Sequence, residues 1–191
     1  MPSVLDDDRQ VRAAFAARFI GVAAAVLALA AGLAVLIIRL AGPADTASRM
    51  PIAFQLSTLL LFGGSAALHR AVHHVRRERQ PRFRRALVAG LAAGVLFVGV
   101  QSYGLWNLLR QGDPEHAATS AIEFVFTAAA LHGLHFTLAL LFLVFVTLQA
   151  FADRYDHEYY WGVVCCAWFW HALGAIWLAI LGVLALTAGR G

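Results

Sequence analysis

Lysine is missing from this 191-residue chain: all 15 basic residues are arginine. That uniformity reflects a GC-rich genome and carries no functional message. Charge of either sign is scarce, at 14% of residues, against 61% apolar residues and a mean hydropathy of +0.71. A water-soluble domain carries far more charge than this. Only two cysteines are present, Cys165 and Cys166. Vicinal residues on a helix point in different directions, so this pair reads as small apolar side chains and says nothing firm about redox compartment. No P-loop, zinc-ligand spacing or Ser/His/Asp set occurs, which leaves phosphoryl transfer, zinc chemistry and triad hydrolysis without their residues. The net charge of +4 is not a nucleic-acid signal, because the arginines are bunched: Arg70, Arg76, Arg77, Arg79, Arg82, Arg84 and Arg85 share one short stretch.

Long apolar runs take up most of the remainder. A membrane-crossing helix needs about 20 mostly apolar residues. Five segments qualify, at 19–40, 51–71, 83–105, 120–149 and 159–187. The connections are short, so the expected fold is an all-α integral membrane protein, a five-transmembrane-helix bundle forming a single membrane domain over 1–191. The first span is expected to remain rather than be cleaved as a signal. Its apolar core is long and a mixed segment precedes it, with Asp6, Asp7 and Asp8 beside Arg9, Arg12 and Arg18. Ala-Gly-Pro-Ala at 41–44 is the nearest approach to a cleavage site. Basic loops stay on the cytoplasmic side, so a basic loop over 72–85 puts the N-terminus in the cytoplasm and the C-terminus in the periplasm of a bacterial inner membrane. The same arginines could meet anionic lipid headgroups.

Polar residues inside the spans are few. Ser57, Thr58 and Ser65 can bond to carbonyls of their own helix or across to a neighbour; Gly63-Gly64 and Gly90-x-x-x-Gly94 mark close helix approach. Gln101, Glu123, His132, His135 and His171 are the remaining candidates, with Trp168, Trp170 and Trp177 around the last histidine. Ionisable groups at membrane depth are costly and normally face the protein interior. For the histidines, with His171 expected at the depth of His132, two readings stand. One is haem or metal ligation by His132 or His135 with His171. The other is interhelical hydrogen bonding, since a neutral imidazole donates with one nitrogen and accepts with the other. Glu123 suits a proton relay, a lipid headgroup or an interfacial carboxylate reaching water. The string from His69 to His74, HxxxHH, resembles one histidine box of membrane di-iron desaturases and hydroxylases, but no second such box converges on it.

The last two helices carry a more specific resemblance. Ala-Leu-His132-Gly133-Leu134-His135-Phe, followed by Trp168-Phe169-Trp170-His171-Ala-Leu-Gly174-Ala-Ile-Trp177, is similar to the paired motifs of subunit III of the haem-copper oxidases. Pro51 to Leu61 and Phe97 to Tyr103 resemble that family's neighbouring helices. The five-helix length is similar to the short form found in bacterial quinol oxidases and in accessory proteins of nitric oxide reductases. The resemblance implies a non-catalytic subunit of a respiratory terminal oxidase. Haem and copper would reside in partner subunits I and II, and this chain would hold phospholipid in a cleft, support assembly and bind no metal or nucleic acid. Gln101, Glu123, His132, His135, Trp170 and His171 would be structural or cleft-lining. Three departures stand out. Gly104 and Gly174 occupy positions where the family usually has carboxylates, and the first helix lacks the usual polar pair. These departures suggest a divergent member with an accessory role in a nitric oxide reductase as an alternative, and the histidines leave a self-contained haem protein using His132 or His135 with His171 as another.

Overall fold

The computed structural model describes residues 4–41, 52–111 and 120–188, with side chains described for 11–37, 39–40, 53–106 and 127–183. Five helices account for nearly all of these: α1 Val4–Ala41, α2 Ile52–Arg76, α3 Gln80–Gln111, α4 Ser120–Phe151 and α5 Trp161–Ala188. The first and third connections lie outside the described residues. Among the described residues, four helices are long and apolar enough to cross a membrane, over Val11–Ile37, Gln80–Trp106, Thr127–Phe151 and Trp161–Val183. The second helix, α2, begins at Ile52, whose side chain lies outside the described residues. Its apolar stretch ends at Leu68, and its last two turns carry His69, Arg70, His73, His74 and Arg76. The helices also outrun the expected spans. Helix α2 continues to Arg76 and α3 starts at Gln80, so the basic stretch sits on two helix ends joined by Arg77–Arg79 rather than on a loop over 72–85. Helical hydrogen bonding continues to the surface while the guanidinium groups reach water.

Both described connections close in the same way. After α2, the amide of Glu78 donates to Val75 O at 3.1 Å and that of Arg79 to His74 O at 3.0 Å. After α4, Asp153 donates to Ala150 O at 3.3 Å and Arg154 to Gln149 O at 3.0 Å. This is the Schellman pattern, which satisfies carbonyls that a helix end leaves open. The residue at its centre takes a left-handed conformation that favours glycine, yet Glu78 and Asp153 hold it, each at φ 54°. Both side chains are used. Glu78 lies 2.6 Å from His157 Nδ1, and Asp153 pairs with Arg84. Arg84 also donates from Nε to Ala150 O at 3.1 Å, and Gln80 Nε2 donates to Tyr155 O at 2.9 Å. Arg76 lies over the Tyr160 ring at 5.0 Å. Asp156 accepts amide hydrogen bonds from Tyr159 and Glu158, which hold its carboxyl below the usual carboxylate range. The basic α2–α3 end and the acidic α4–α5 connection thus meet at one end of the bundle.

Helix α3 is central, packing against α1, α2 and α4, while α5 lies against α2 and α4. Glycines on α3 admit the neighbours. A Cβ at Gly90 would touch Leu68 and Leu143, one at Gly94 would lie 2.8 Å from Leu140, and one at Gly99 would lie 2.9 Å from Leu33. In lipid, such packing substitutes for the hydrophobic drive available in water. The buried cluster includes Leu61, Leu68, Phe83, Leu87, Phe97, Phe136, Leu143, Trp170 and Trp177. Helix α1 contributes mainly Ala23, Ala30 and Ala34, and leaves Ile20, Leu29, Leu36 and Leu40 exposed.

Candidate functional site

Two tryptophans seven residues apart share one face of α5 and join it to α2. Trp170 is fully buried, and its Nε1 donates to Leu61 O at 3.3 Å. Its ring fills the space left by two glycines. A Cβ at Gly64 would stand 2.5 Å from Cζ2, and one at Gly94 would stand 3.1 Å from Cη2. Trp177 donates from Nε1 to Thr58 Oγ1 at 3.3 Å, and the Thr58 hydroxyl donates in turn to Phe54 O at 2.7 Å.

The Trp177 ring stacks on His132, with centroids 5.6 Å apart and planes at 24°. His132 is 5% exposed, and neither ring nitrogen has a hydrogen-bond partner among the described residues. The interhelical bond expected of it is therefore replaced by aromatic stacking. His135 is exposed and its Nδ1 lies 2.8 Å from Leu131 O, one turn back on its own helix. His171 is the histidine that bonds across helices, with Nδ1 at 3.1 Å from Ser65 Oγ of α2.

His171 does not lie at the depth of His132. Each precedes the midpoint of its helix by three to four residues. The helices run in opposite directions, so the same offset moves one histidine outward and the other inward. Trp177, which meets His132, is six residues beyond His171, about 9 Å along the axis at 1.5 Å per residue. A haem held between facing helices needs opposed imidazoles, and His132 and His171 are not so arranged. The self-contained haem reading is therefore not favoured for that pair. Among the described residues no group of three or more His, Cys, Asp or Glu could hold a metal ion. The HxxxHH histidines sit at the basic end, with the His73 and His74 rings 5.8 Å apart. Burial, then His73, Arg82, Arg79 and Arg70, holds His74 below the usual imidazole range.

The side chain of Glu123 lies outside the described residues. Gln101 is half-buried on α3, and its Oε1 has no partner among the described residues. Apolar neighbours close both carboxylate-to-glycine positions. A Cβ at Gly104 would lie 3.2 Å from Phe54 Cε1, and one at Gly174 would lie 3.4 Å from Leu61 Cδ2.

Two cavities flank His132. An apolar cleft of about 480 Å³ between α4 and α5 has His132 and His135 as its polar lining among the described residues. A second pocket, about 260 Å³, lies between α3 and α4 and meets His132, Gln101, Ser102 and Thr137. The sequence had singled out the imidazoles and Gln101, but not the Trp177–His132 stack. The seven-residue tryptophan spacing was the available signal. It also gave no sign of the Arg84, Gln80 and Tyr155 contacts, which depend on how distant helix ends meet.

Apolar helices, polar groups gathered at the seams between them and charge concentrated at one end define a polytopic membrane protein. A family model described as cytochrome c oxidase subunit III matches residues 40–186. The chain belongs to that family. Relatives include cytochrome c oxidase subunit 3 of Arabidopsis thaliana, 27% identical over 124 residues, which cover 64% of this chain and 45% of that one. The subunit 3 of Ornithorhynchus anatinus is 23% identical over 124 residues, covering 64% and 46%. A probable cytochrome c oxidase subunit 3 of Mycobacterium leprae is 24% identical over 127 residues, covering 66% and 62%. The match to the first of these relatives thus spans under half of that protein's length.

Proposed function

We propose that the chain serves as the non-catalytic subunit III of a respiratory haem-copper terminal oxidase in aerobic electron transport. The supporting observation is the family match across 40–186, which takes in both the His132–His135 string and the Trp168–Trp177 string. The indoles of the second string lock α5 onto α2. Haem and copper belong to partner subunits I and II in this reading, and the chain contributes packing, assembly and a lipid-holding cleft. The α4–α5 cleft suits an acyl chain because its walls are almost wholly apolar. The relatives' names favour an oxidase over a nitric oxide reductase as the partner.

The topology proposed with this role has five spans in a bacterial inner membrane, with the N-terminus in the cytoplasm. Helix α2 is the second of these spans, packed against α3 and α5, with its polar end at the surface. The arginines at the α2–α3 end set that end inside. The acidic connection met by Arg84 and Gln80 lies on the same side, as two intervening crossings require.

Affinity purification of the tagged chain from its native membranes, followed by haem and copper analysis of co-purifying polypeptides, tests the role. Pigmented, copper-containing companions are expected. Recovery without any such companion, or a Soret band in the isolated chain that vanishes in His171→Ala, would overturn it.

A further inference from the structure

The pocket between α3 and α4 is distinct in chemistry from the apolar cleft on the other side of His132, and its reading does not depend on which complex the chain joins. Small residues create it: Ala129, Ala130 and Gly133 line it on the α4 side, and a Cβ at Gly133 would meet nothing within 4 Å. His132, Gln101, Ser102 and Thr137 are the polar side chains that line it among the described residues. His132, only 5% exposed, brings two nitrogens without partners, and Gln101 brings an Oε1 without one. Ser102 and Thr137 add hydroxyl oxygens whose hydrogens are already committed, to Val98 O at 2.8 Å and Gly133 O at 2.9 Å, so those oxygens remain free to accept. A site of this kind asks for a small molecule that both donates and accepts. A neutral imidazole offers one donor and one acceptor, and an acyl chain answers neither.

We propose that this pocket is a hydration site, in which water hydrogen-bonds the His132 imidazole and the Gln101 carboxamide. Its volume of about 260 Å³ holds several molecules, each taking about 30 Å³, and buried water normally makes two to four bonds of the kind available here. His132 then has water on its α3 side and the apolar cleft on its α5 side, with the Trp177 ring stacked against it.

X-ray radiolytic footprinting of the full-length protein, solubilised with whatever subunits accompany it, tests this directly. Hydroxyl radicals generated from water held in the protein oxidise the side chains beside it. Phe136 and Trp177 line the pocket at 1% and 2% exposure, whereas Phe83 and Trp170, both at 0%, are not among its lining residues. Phe136 should be oxidised several-fold faster than Phe83, and Trp177 several-fold faster than Trp170. In Gln101→Leu and His132→Phe the excess should fall towards the control rates. Equal rates within each wild-type pair would overturn the proposal without any variant having to fold. So would an excess that persists in both variants, or a density map of the protein with a carbon-containing molecule in the pocket.

Discussion

Gly63 and Gly64 are adjacent in sequence and opposite in consequence. An alanine methyl at Gly64 would arrive 2.5 Å from Trp170 Cζ2 and 3.0 Å from Cε2, far inside ordinary contact, whereas one at Gly63 meets nothing within 4 Å. The indole has little room to retreat. It is fully buried, its far edge already faces Gly94, its centroid lies 5.0 Å from that of Phe136, and its Nε1 is tied to Leu61 O. Either α2 or α5 must shift by roughly an ångström, and overpacking of that kind typically costs about 1–3 kcal/mol. Gly63→Ala should be neutral or gain a few tenths of a kcal/mol from helix propensity. Reversible unfolding by SDS titration in mixed micelles reads both. Combining Gly64→Ala with Trp170→Phe should cost less than the two single changes added together, because the smaller ring vacates the contested volume. If the two alanine variants unfold at the same SDS fraction, Trp170 is not seated on Gly64 and the account of the α2–α5 seam fails.

Arg84→Ala should destabilise the bundle by about 1 kcal/mol, mostly through the lost bond to Ala150 O. The Asp153 carboxylate is 73% exposed, so the ion pair adds little; Arg85→Ala, at an exposed position, is the control, and equal effects of the two would count against the clamp. Glu78→Gly should raise stability by up to about 1 kcal/mol by relieving its left-handed backbone, because the contact it gives up with His157 is solvent-exposed and weak. A lowered SDS midpoint would show that the His157 contact outweighs the backbone term. For His74, the lowered folded pKa means that the unfolded chain takes up the proton first. Stability at the basic end is therefore full above the ordinary imidazole value of 6.5 and declines as pH falls from there towards the lowered value. His74→Gln should flatten that decline in SDS midpoints measured across about pH 8 to 5, and an unchanged slope would assign the acid sensitivity elsewhere.

Helix number and most of the polar inventory were legible because each rests on local signals. Apolar runs of spanning length mark α1, α3, α4 and α5, and the glycines at 90 and 94 lie where Leu68, Leu143, Leu140 and Trp170 approach. Ser65 and Thr58 were recognisable as bonding groups, though not their partners His171 and Trp177. What local signals omit is the relative displacement of antiparallel neighbours. Depth estimated helix by helix puts His132 and His171 together, whereas direction reverses between α4 and α5 and separates them. The turn at Glu78 was hidden because an acidic residue occupies a conformation normally signalled by glycine.

The tight turn at Arg77–Arg79 bears on how the chain enters the bilayer during synthesis. Helix α1 has no polar side chain between Ile20 and Ile38 and can partition alone. Helix α2 ends in a run of histidines and arginines, and three residues of connection leave it no opportunity to wait far from α3. The two would pass through the translocon as a single hairpin. A glycosylation-tag insertion assay would show this as poor insertion of α2 alone and efficient insertion of the α2–α3 pair.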